Sequence, residues 1–488
     1  MKKIISFLLF VVALVFAHDE CVVVKHVSTS TGYDDDIIRM AFDNARAGNK
    51  TCVKLTGGNW KIQNYIVIPT SMELRGTYTS KHGYTKAGST IECNVEYDHT
   101  LDSIWLGKQA CVMLQGGATI TGFNIVWPYG RYSDASWSPF NPYFFNGVNH
   151  VYPWTVSCFG SQTVDGLDYP GKCTIRNVTI SNARLGINLD FGFDHHLDNV
   201  NIGVYEQGML LDDIASLGII ENVRISDEYL WEYYTKSYLS YDKTRIPWYT
   251  DNVLYNFTVG MRLNRVDWGD IRNVYIRKVY KGLIFDINSS ATYEVPYQYN
   301  TTWWQNPQVF FNGLICDSCN YAIYALSIQK PAGIQIANGN LNGKINVEYS
   351  NWGPIHISNS ILDYSLPQQD ENIPHIAIKS PNCEVSMTNT IIRTGGNLNG
   401  NIPFGNVVIQ NTGRVSLSNV NMVQLNPSIP YGPVFQHIVT SDADQYHRGS
   451  LMWWDGLYST PTLIYSQVNQ SGQPVTGRIH INNVNQGN

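Results

Sequence analysis

A short phrase recurs along the chain and restricts the possible folds more than any other feature. It reads ITGFNI (120–125), IRNVTI (175–180), LDNVNI (197–202), IENVRI (220–225), IRNVYI (271–276), IANGNL (336–341), ISNSIL (357–362), MTNTII (387–392), LSNVNM (417–422) and INNVNQ (481–486). The third place is asparagine in every copy but the first, giving Asn177, Asn199, Asn222, Asn273, Asn338, Asn359, Asn389, Asn419 and Asn483. Copies stand 22 and 23 residues apart where nothing intervenes, and 21 to 30 apart over much of the remainder. Self-similarity at this period marks a solenoid, whose repeats bury their apolar faces only by stacking. Each repeat holds two or three short strands and no helix, which fits one coil of a parallel β-helix. Asparagines stacked coil upon coil form an amide ladder, each side chain donating to one neighbour and accepting from the other. Leucine-rich repeats share the period, but their L-x-x-L-x-L signature is missing.

A second strand recurs in register with the first: GINLDF (186–191), GMLLDD (208–213), GMRLNR (260–265) and GLIFDI (282–287). Side chains alternate across a strand, so Ile187, Met209, Met261 and Leu283 share the inward face with Leu189, Leu211, Leu263 and Phe285. The outward positions then form a column of Asp190, Asp212, Asn264 and Asp286. Asp190 and Asp212 are expected one coil apart, with carboxylates within roughly 5 to 7 Å. Like charges that close resist ionising together, so one of the two should hold its proton near neutral pH. An acid beside a base or nucleophile is what glycoside hydrolysis needs. Strict alternation points Asp213 inward, where a bare charge is costly, so a bend at the strand end is expected to bring it out. The blander reading makes these residues solvated strand ends or turn formers.

The chain opens with Lys2, Lys3 and an apolar run from Ile4 to Phe16, a secretory signal peptide cut after Ala17 and too short to span a bilayer. Its C-terminal INNVNQGN carries no retention signal or hydrophobic tail, so a secreted protein with no membrane span is expected. N-x-[ST] sequons stand at Asn49, Asn177, Asn256, Asn288, Asn300 and Asn469. The nine cysteines can pair in an oxidising compartment with one left over. The CDSC at Cys316 and Cys319 has no second pair at zinc-finger spacing, which favours a disulfide over zinc. A net charge of −6 with 15% charged residues argues against nucleic acid. A composition rich in Asn, Gly and Tyr, with 13 Trp, suits sugars instead. Asp34 to Ala47 reads as a short helix, with Asp at its N-cap and Gly48 as its stop, that covers the open end of the solenoid.

The order of that helix, the segment GGNWKI…YIVIPTSMELRG and the N-V-x-I coils resembles the pectin-lyase-like superfamily of right-handed parallel β-helices. The resemblance runs from about residue 30 to the C-terminus. In the polygalacturonase-like glycoside hydrolases an N-x-D motif is followed one coil later by D-D-x-[IV]-A. Asn188-Leu189-Asp190 and Asp212-Asp213-Ile214-Ala215 are similar to these, residue for residue. The family's G-H-G has no counterpart, since the corresponding region reads SDEYLWEYY (226–234). Its R-I-K is matched by Arg262-Leu263-Asn264, without the lysine. The resemblance therefore implies polysaccharide hydrolysis without implying galacturonate.

The expected organisation is a signal peptide at 1–17, an N-terminal cap at 18–110 and a single-stranded, all-β parallel β-helix at 111–488. Aromatic insertions interrupt it at 127–154, 226–258 and 288–308, and loops this long in a solenoid are usually functional. Trp231, Trp248, Trp303 and Trp304 are candidates to stack on sugar faces beside the column, with Asn188, Arg262, Asn264 and Asp286 as further substrate contacts. Asp190, Asp212 and Asp213 are the candidate catalytic carboxylates. Asp194-His195-His196 is a poor metal site because adjacent side chains do not share a face, although one imidazole could reach a neighbouring coil as an acid or base. No cofactor is expected for a hydrolase. Two alternatives stay open: a polysaccharide lyase that uses Ca²⁺ held by the aspartates with Arg262 or Arg265 as base, and a non-catalytic carbohydrate-binding or coat protein. Exposed solenoid ends leave both monomer and assembly open.

Overall fold

In the computed structural model the third-place asparagines turn the chain. Their backbones are left-handed, with φ of 51° at Asn177, 53° at Asn199, 55° at Asn222, 51° at Asn273, 56° at Asn338, 49° at Asn359, 50° at Asn389 and 51° at Asn419. Asn takes this region more readily than most residues that carry a Cβ. Each asparagine bends the chain, either between two strands, as Asn338 does between Ile334–Ala337 and Asn340–Asn342, or within one continuous strand, as Asn273 does inside Gly269–Arg277. A third strand completes the coil, and parallel pairing to the next coil repeats the pattern about 4.8 Å further along.

The structure describes residues 21–26, 33–77, 88–95, 109–127, 153–159, 171–216, 218–230, 254, 257–267, 269–286, 307–330, 332–348, 351, 353–364, 375–380 and 383–394. Beyond these it describes strands at 409–411, 414–424, 435–439, 452–458, 465–469 and 484–486, and the backbone of four two-residue strands between 144 and 168. The signal segment, Asn483 and the sequons at Asn256, Asn288 and Asn300 lie outside the described residues. Apart from the two small hairpins made by those two-residue strands, the strands form one 32-stranded parallel network. The molecule is a right-handed parallel β-helix. Its ladder runs through residue 110, since Cys52–Leu55 pairs with Glu73–Arg75, which pairs in turn with Thr119–Val126.

Register stacks like on like. Val178, Val200, Val223, Val274 and Leu314 follow one another coil by coil, as do Ile187, Met209, Met261, Leu283 and Ile323, and all are buried. The glycine that opens each third strand is required by close approach: a methyl group on Gly260 would lie 2.6 Å from the Gly282 carbonyl oxygen and 2.7 Å from Ile276 Cγ2.

The amide ladder is real but interrupted. Asn199 Nδ2 donates to Asn177 Oδ1 (2.7 Å), Asn273 to Asn222 (3.3 Å), Asn389 to Asn359 (3.2 Å) and Asn419 to Asn389 (2.8 Å). Asn222 instead donates to Asp198 (2.9 Å), a carboxylate that competes with the Asn199 amide. Between Asn273 and Asn338 the left-handed place belongs to Gly313 (φ 78°). The phrase FNGLIC (311–316) is thus a further repeat that the asparagine pattern hides. Glycine offers no amide, so Asn338 reaches sideways to Asn312 (2.8 Å).

The N-terminal helix spans Asp35–Ala47. Asp34 does not cap it through its side chain; its carboxylate accepts from Lys61 N (2.8 Å), and Asp35 accepts from Gln63 N and Asn64 N (3.1 and 2.9 Å). These aspartates fasten the helix to the first coils rather than terminate it. Gly48 has φ −89°, and the left-handed residue that ends the helix is Asn49 (φ 53°). Disulfides join Cys21–Cys52, Cys93–Cys111 and Cys158–Cys173, while Cys316, Cys319 and Cys383 are buried thiols.

Candidate active site

The third strand carries the candidate site because its outward positions come into register. Asp190 pairs directly with Asp212. Leu211 pairs with Leu263 and Leu263 with Phe285, which places Asn264 and then Asp286 on the next two rungs. Asp190 is half-buried, and Asp212 is buried with a fractional exposure of 3%. Asn264 Nδ2 donates to Asp212 Oδ2 (3.0 Å), so this amide orients a carboxylate instead of lying open to a ligand. Asn188, also an outward residue of this strand, is buried at 2%. Arg262 lies 3.5 Å from Asp286 and is the more exposed partner.

The doubled aspartate divides its labour through one backbone angle. Asp213 is left-handed (φ 50°), which ends regular alternation and returns Ile214 to the core, where it is fully buried. The Asp213 side chain emerges half-buried and accepts a hydrogen bond from Arg265 Nη1 (2.6 Å). Arg265 is also gripped by Asp267, at 3.4 Å from Nε and 3.3 Å from Nη2. Burial pushes the Asp267 carboxyl up against the opposing pull of Arg265. The column therefore presents Asp190 over Asp212, with Asp213 tied sideways into a charge-assisted cluster.

The same outward face continues with residues that the Gly-led phrase did not reveal. Tyr321–Ala325 pairs with Lys281–Phe285, and Lys344–Val347 with Tyr321–Ala325. Lys281 Nζ sits 3.7 Å from the Tyr324 ring centroid; burial, then the nearby Arg262 charge, pulls its pKa down. Glu348 accepts from Tyr324 Oη (2.8 Å), Asn346 Nδ2 (2.6 Å) and Lys379 Nζ (2.9 Å). Burial pushes Glu348 up, but these three donors together outweigh it and hold it below the usual carboxylate range. Pairing register, rather than the glycine, is the signal that finds these residues.

His195 is not an outward acid or base. It is fully buried, its Nδ1 accepts from Cys173 N (3.3 Å), and burial, opposed by Asp194, drives its pKa down to about 4. His196 is bound to Arg176 (2.7 Å). Among the described residues, the group of three potential metal ligands whose donor atoms all lie within 4.8 Å of one another is Cys158, Cys173 and His195. Its two sulfurs are joined in a disulfide, and the aspartate column forms no such group.

In the region where the family motif would place G-H-G, Asp227 binds Lys278 (3.1 Å) and lies 3.9 Å from Arg277, which also bonds Glu228 and lies 3.5 Å from Asp317. Trp127 and Trp154 at the ends of the first insertion are buried, as is Tyr229, and the Trp127 indole donates to Thr155 Oγ1 (2.9 Å). These rings pack the core. Trp231, Trp248, Trp303 and Trp304 lie outside the described residues. Among the described residues no helix is long and apolar enough to cross a membrane.

No family model matches the chain, and no curated protein does. Among solved structures it is similar to the catalytic domain of GH87 alpha-1,3-glucanase in complex with nigerose, at 15% identity and a TM-score of 0.40, over 86% of this chain and 68% of that one. It is also similar to DFA-IIIase from Arthrobacter chlorophenolicus A6 without its lid, at 9% identity and a TM-score of 0.39, over 93% of this chain and 100% of that one. Bacteriophage CBA120 tailspike protein 3 is similar at 9% identity and a TM-score of 0.40, over 96% of this chain and 62% of that one.

Proposed function

We propose that the chain is a secreted polysaccharide-degrading enzyme that hydrolyses glycosidic bonds with Asp190 and Asp212. The observation that carries this reading is the direct register of the two carboxylates on one outward face. A glycosidic oxygen leaves only when protonated, and the sugar carbon needs a base-activated water or a nucleophile from the other side. The more buried Asp212 is assigned the proton, because a neutral carboxyl loses less than a carboxylate on leaving water. Asp190 is assigned the complementary role. Asp213, held by Arg265, keeps the strand end bent and contributes negative field. Arg262, partly exposed beside Asp286, is assigned to a hydroxyl or acidic group of the substrate. The three disulfides and the leader-like N-terminus support an oxidising, extracellular setting.

The test is product release by the purified full chain from a panel of neutral and uronate polysaccharides, with and without Ca²⁺, beside Asp190→Asn and Asp212→Asn. New reducing ends that need no Ca²⁺ and vanish in both variants are expected. An unsaturated product would replace this reading with the lyase, and sugar binding without turnover would replace it with a carbohydrate-binding protein.

A further inference from the structure

We infer that Cys316 and Cys319 close a fourth disulfide across the turn that joins two coil strands. Cys316 lies near the end of Val309–Asp317, and Cys319 stands just before Tyr321–Ala325. Ser318 between them is left-handed (φ 61°), which folds the chain back so that both side chains enter the interior. Each cysteine is 1% exposed; the Cys316 thiol donates to Ala322 O and the Cys319 thiol to Ile276 O, both over a long 3.8 Å. A methyl group on Gly282 would lie 2.9 Å from Cys316 Sγ and 3.5 Å from Cys319 Sγ, so both sulfurs crowd one spot above the same glycine.

What the pair replaces is informative. At the Gly208 and Gly260 rungs the equivalent neighbour is Ile225 and Ile276. At Gly282 it is Cys316, with Cys319 reaching in from the turn. Two small polar thiols stand where a single aliphatic side chain serves elsewhere. A bonded pair of sulfurs fills such a place as an apolar group and gives up only those two long sulfur–carbonyl contacts.

Closure removes two protons and two electrons from the thiols. An external disulfide of the secretory compartment accepts them by exchange and leaves as a dithiol. Because the folded core seals both sulfurs, the exchange precedes completion of the coil. With Cys21–Cys52, Cys93–Cys111 and Cys158–Cys173 already bonded, the buried Cys383, whose thiol is pushed up to about 12 by burial, is the single cysteine left. The bond would brace the turn from which Tyr321 and Tyr324 rise beside Lys281.

The experiment is thiol counting on the full chain, purified without reductant from an oxidising secretory host and unfolded in denaturant with an alkylating reagent. Peptide mapping follows, without and then with reduction. One alkylated cysteine, Cys383, is expected, together with a peptide spanning 316–319 that is two mass units light until reduced. Alkylation of Cys316 and Cys319 before reduction, or a bond from either one to Cys383, overturns the inference.

Discussion

The asparagine ladder and the aspartate column share one geometry, a polar side chain repeated at each coil about 4.8 Å apart, and differ in everything the geometry entails. An amide donates and accepts, so Asn389 gives to Asn359 while it receives from Asn419. An ionised carboxylate only accepts, so Asp190 above Asp212 is repelled by its neighbour unless one of the two holds a proton. Partners relieve the column from the side: Asn264 donates to Asp212, Arg265 holds Asp213 and Arg262 approaches Asp286. A solenoid built for stability alone would extend the amides. Stacked carboxylates carry a cost that stacked amides do not, and that cost supports the catalytic role proposed for them.

Asp212→Asn turns that part of the column into a ladder and should produce the largest effect. The new amide can donate towards Asp190 while its oxygen still accepts from Asn264. Turnover should fall by about 10²- to 10⁴-fold, the usual share of a positioned acid or base, and the melting temperature should hold or rise. Kinetics on the substrate found by the polysaccharide panel, beside calorimetry of both proteins, would check it. A variant that keeps its activity, or loses it by unfolding, would break the contrast between the two stacks.

Acid probes the buried interior beside the two stacks, because amides do not titrate and the buried imidazoles do. His195 and His375 are each lowered from 6.5 to about 4, by burial first. A folded-state pKa below the unfolded one means that the native fold favours the neutral ring. That stability is fully present above pH 6.5 and is lost as pH falls towards 4. At pH 5 each ring should cost about 2 kcal/mol relative to neutral pH. Urea midpoints at pH 7.5 and pH 5 measure this, and an unchanged midpoint would mean that the imidazoles reach water.

How far these features were legible in the sequence depends on whether a residue's effect is local. The left-handed Asn177 or Asn359 announces its turn because the preference belongs to asparagine itself, and strict alternation with the repeat length then fixes Asp190 over Asp212. The bend at Asp213 follows from the cost of burying a charge. Gly313 escaped notice because a glycine can occupy the same backbone place and leave no asparagine to read. Asp34 and Asp35 looked like helix caps, yet the first coil offers unpaired backbone N–H groups at Lys61, Gln63 and Asn64, and long-range demand outweighed local habit. His195 and the Lys281–Tyr324–Glu348 group became visible only through register, since the contacts Lys281–Tyr324, Tyr324–Glu348 and Cys173–His195 each span about a coil of chain or more.

Within the ladder, Asn389→Ala should lose two amide hydrogen bonds and put alanine, which lacks asparagine's tolerance of that region, into a left-handed backbone. Together these should cost about 2 to 3 kcal/mol. Asn389→Gly removes the same bonds without the backbone strain and should cost about 1 kcal/mol less. Chemical denaturation of the pair separates the two contributions. Equal losses would mean that the amide bonds, and not the left-handed turn, hold the coil.

The smallest effect, and the finest test of the comparison, is to close the gap at Gly313. Its φ of 78° is open to asparagine, and a new Cβ there would stand 3.1 Å from Asn273 Oδ1, close enough to need a few tenths of an ångström of adjustment. In return Gly313→Asn brings an amide between Asn273 and Asn338, lets Asn338 turn back from Asn312 into line, and restricts the unfolded chain. These contributions nearly offset, so a net stabilisation of about 0.5 kcal/mol is expected, read as a shift of the urea midpoint at unchanged slope. A loss greater than about 1 kcal/mol would show that glycine is needed at this rung for close approach, which would make the interruption of the ladder a packing requirement of the coil that carries Cys316 and Cys319.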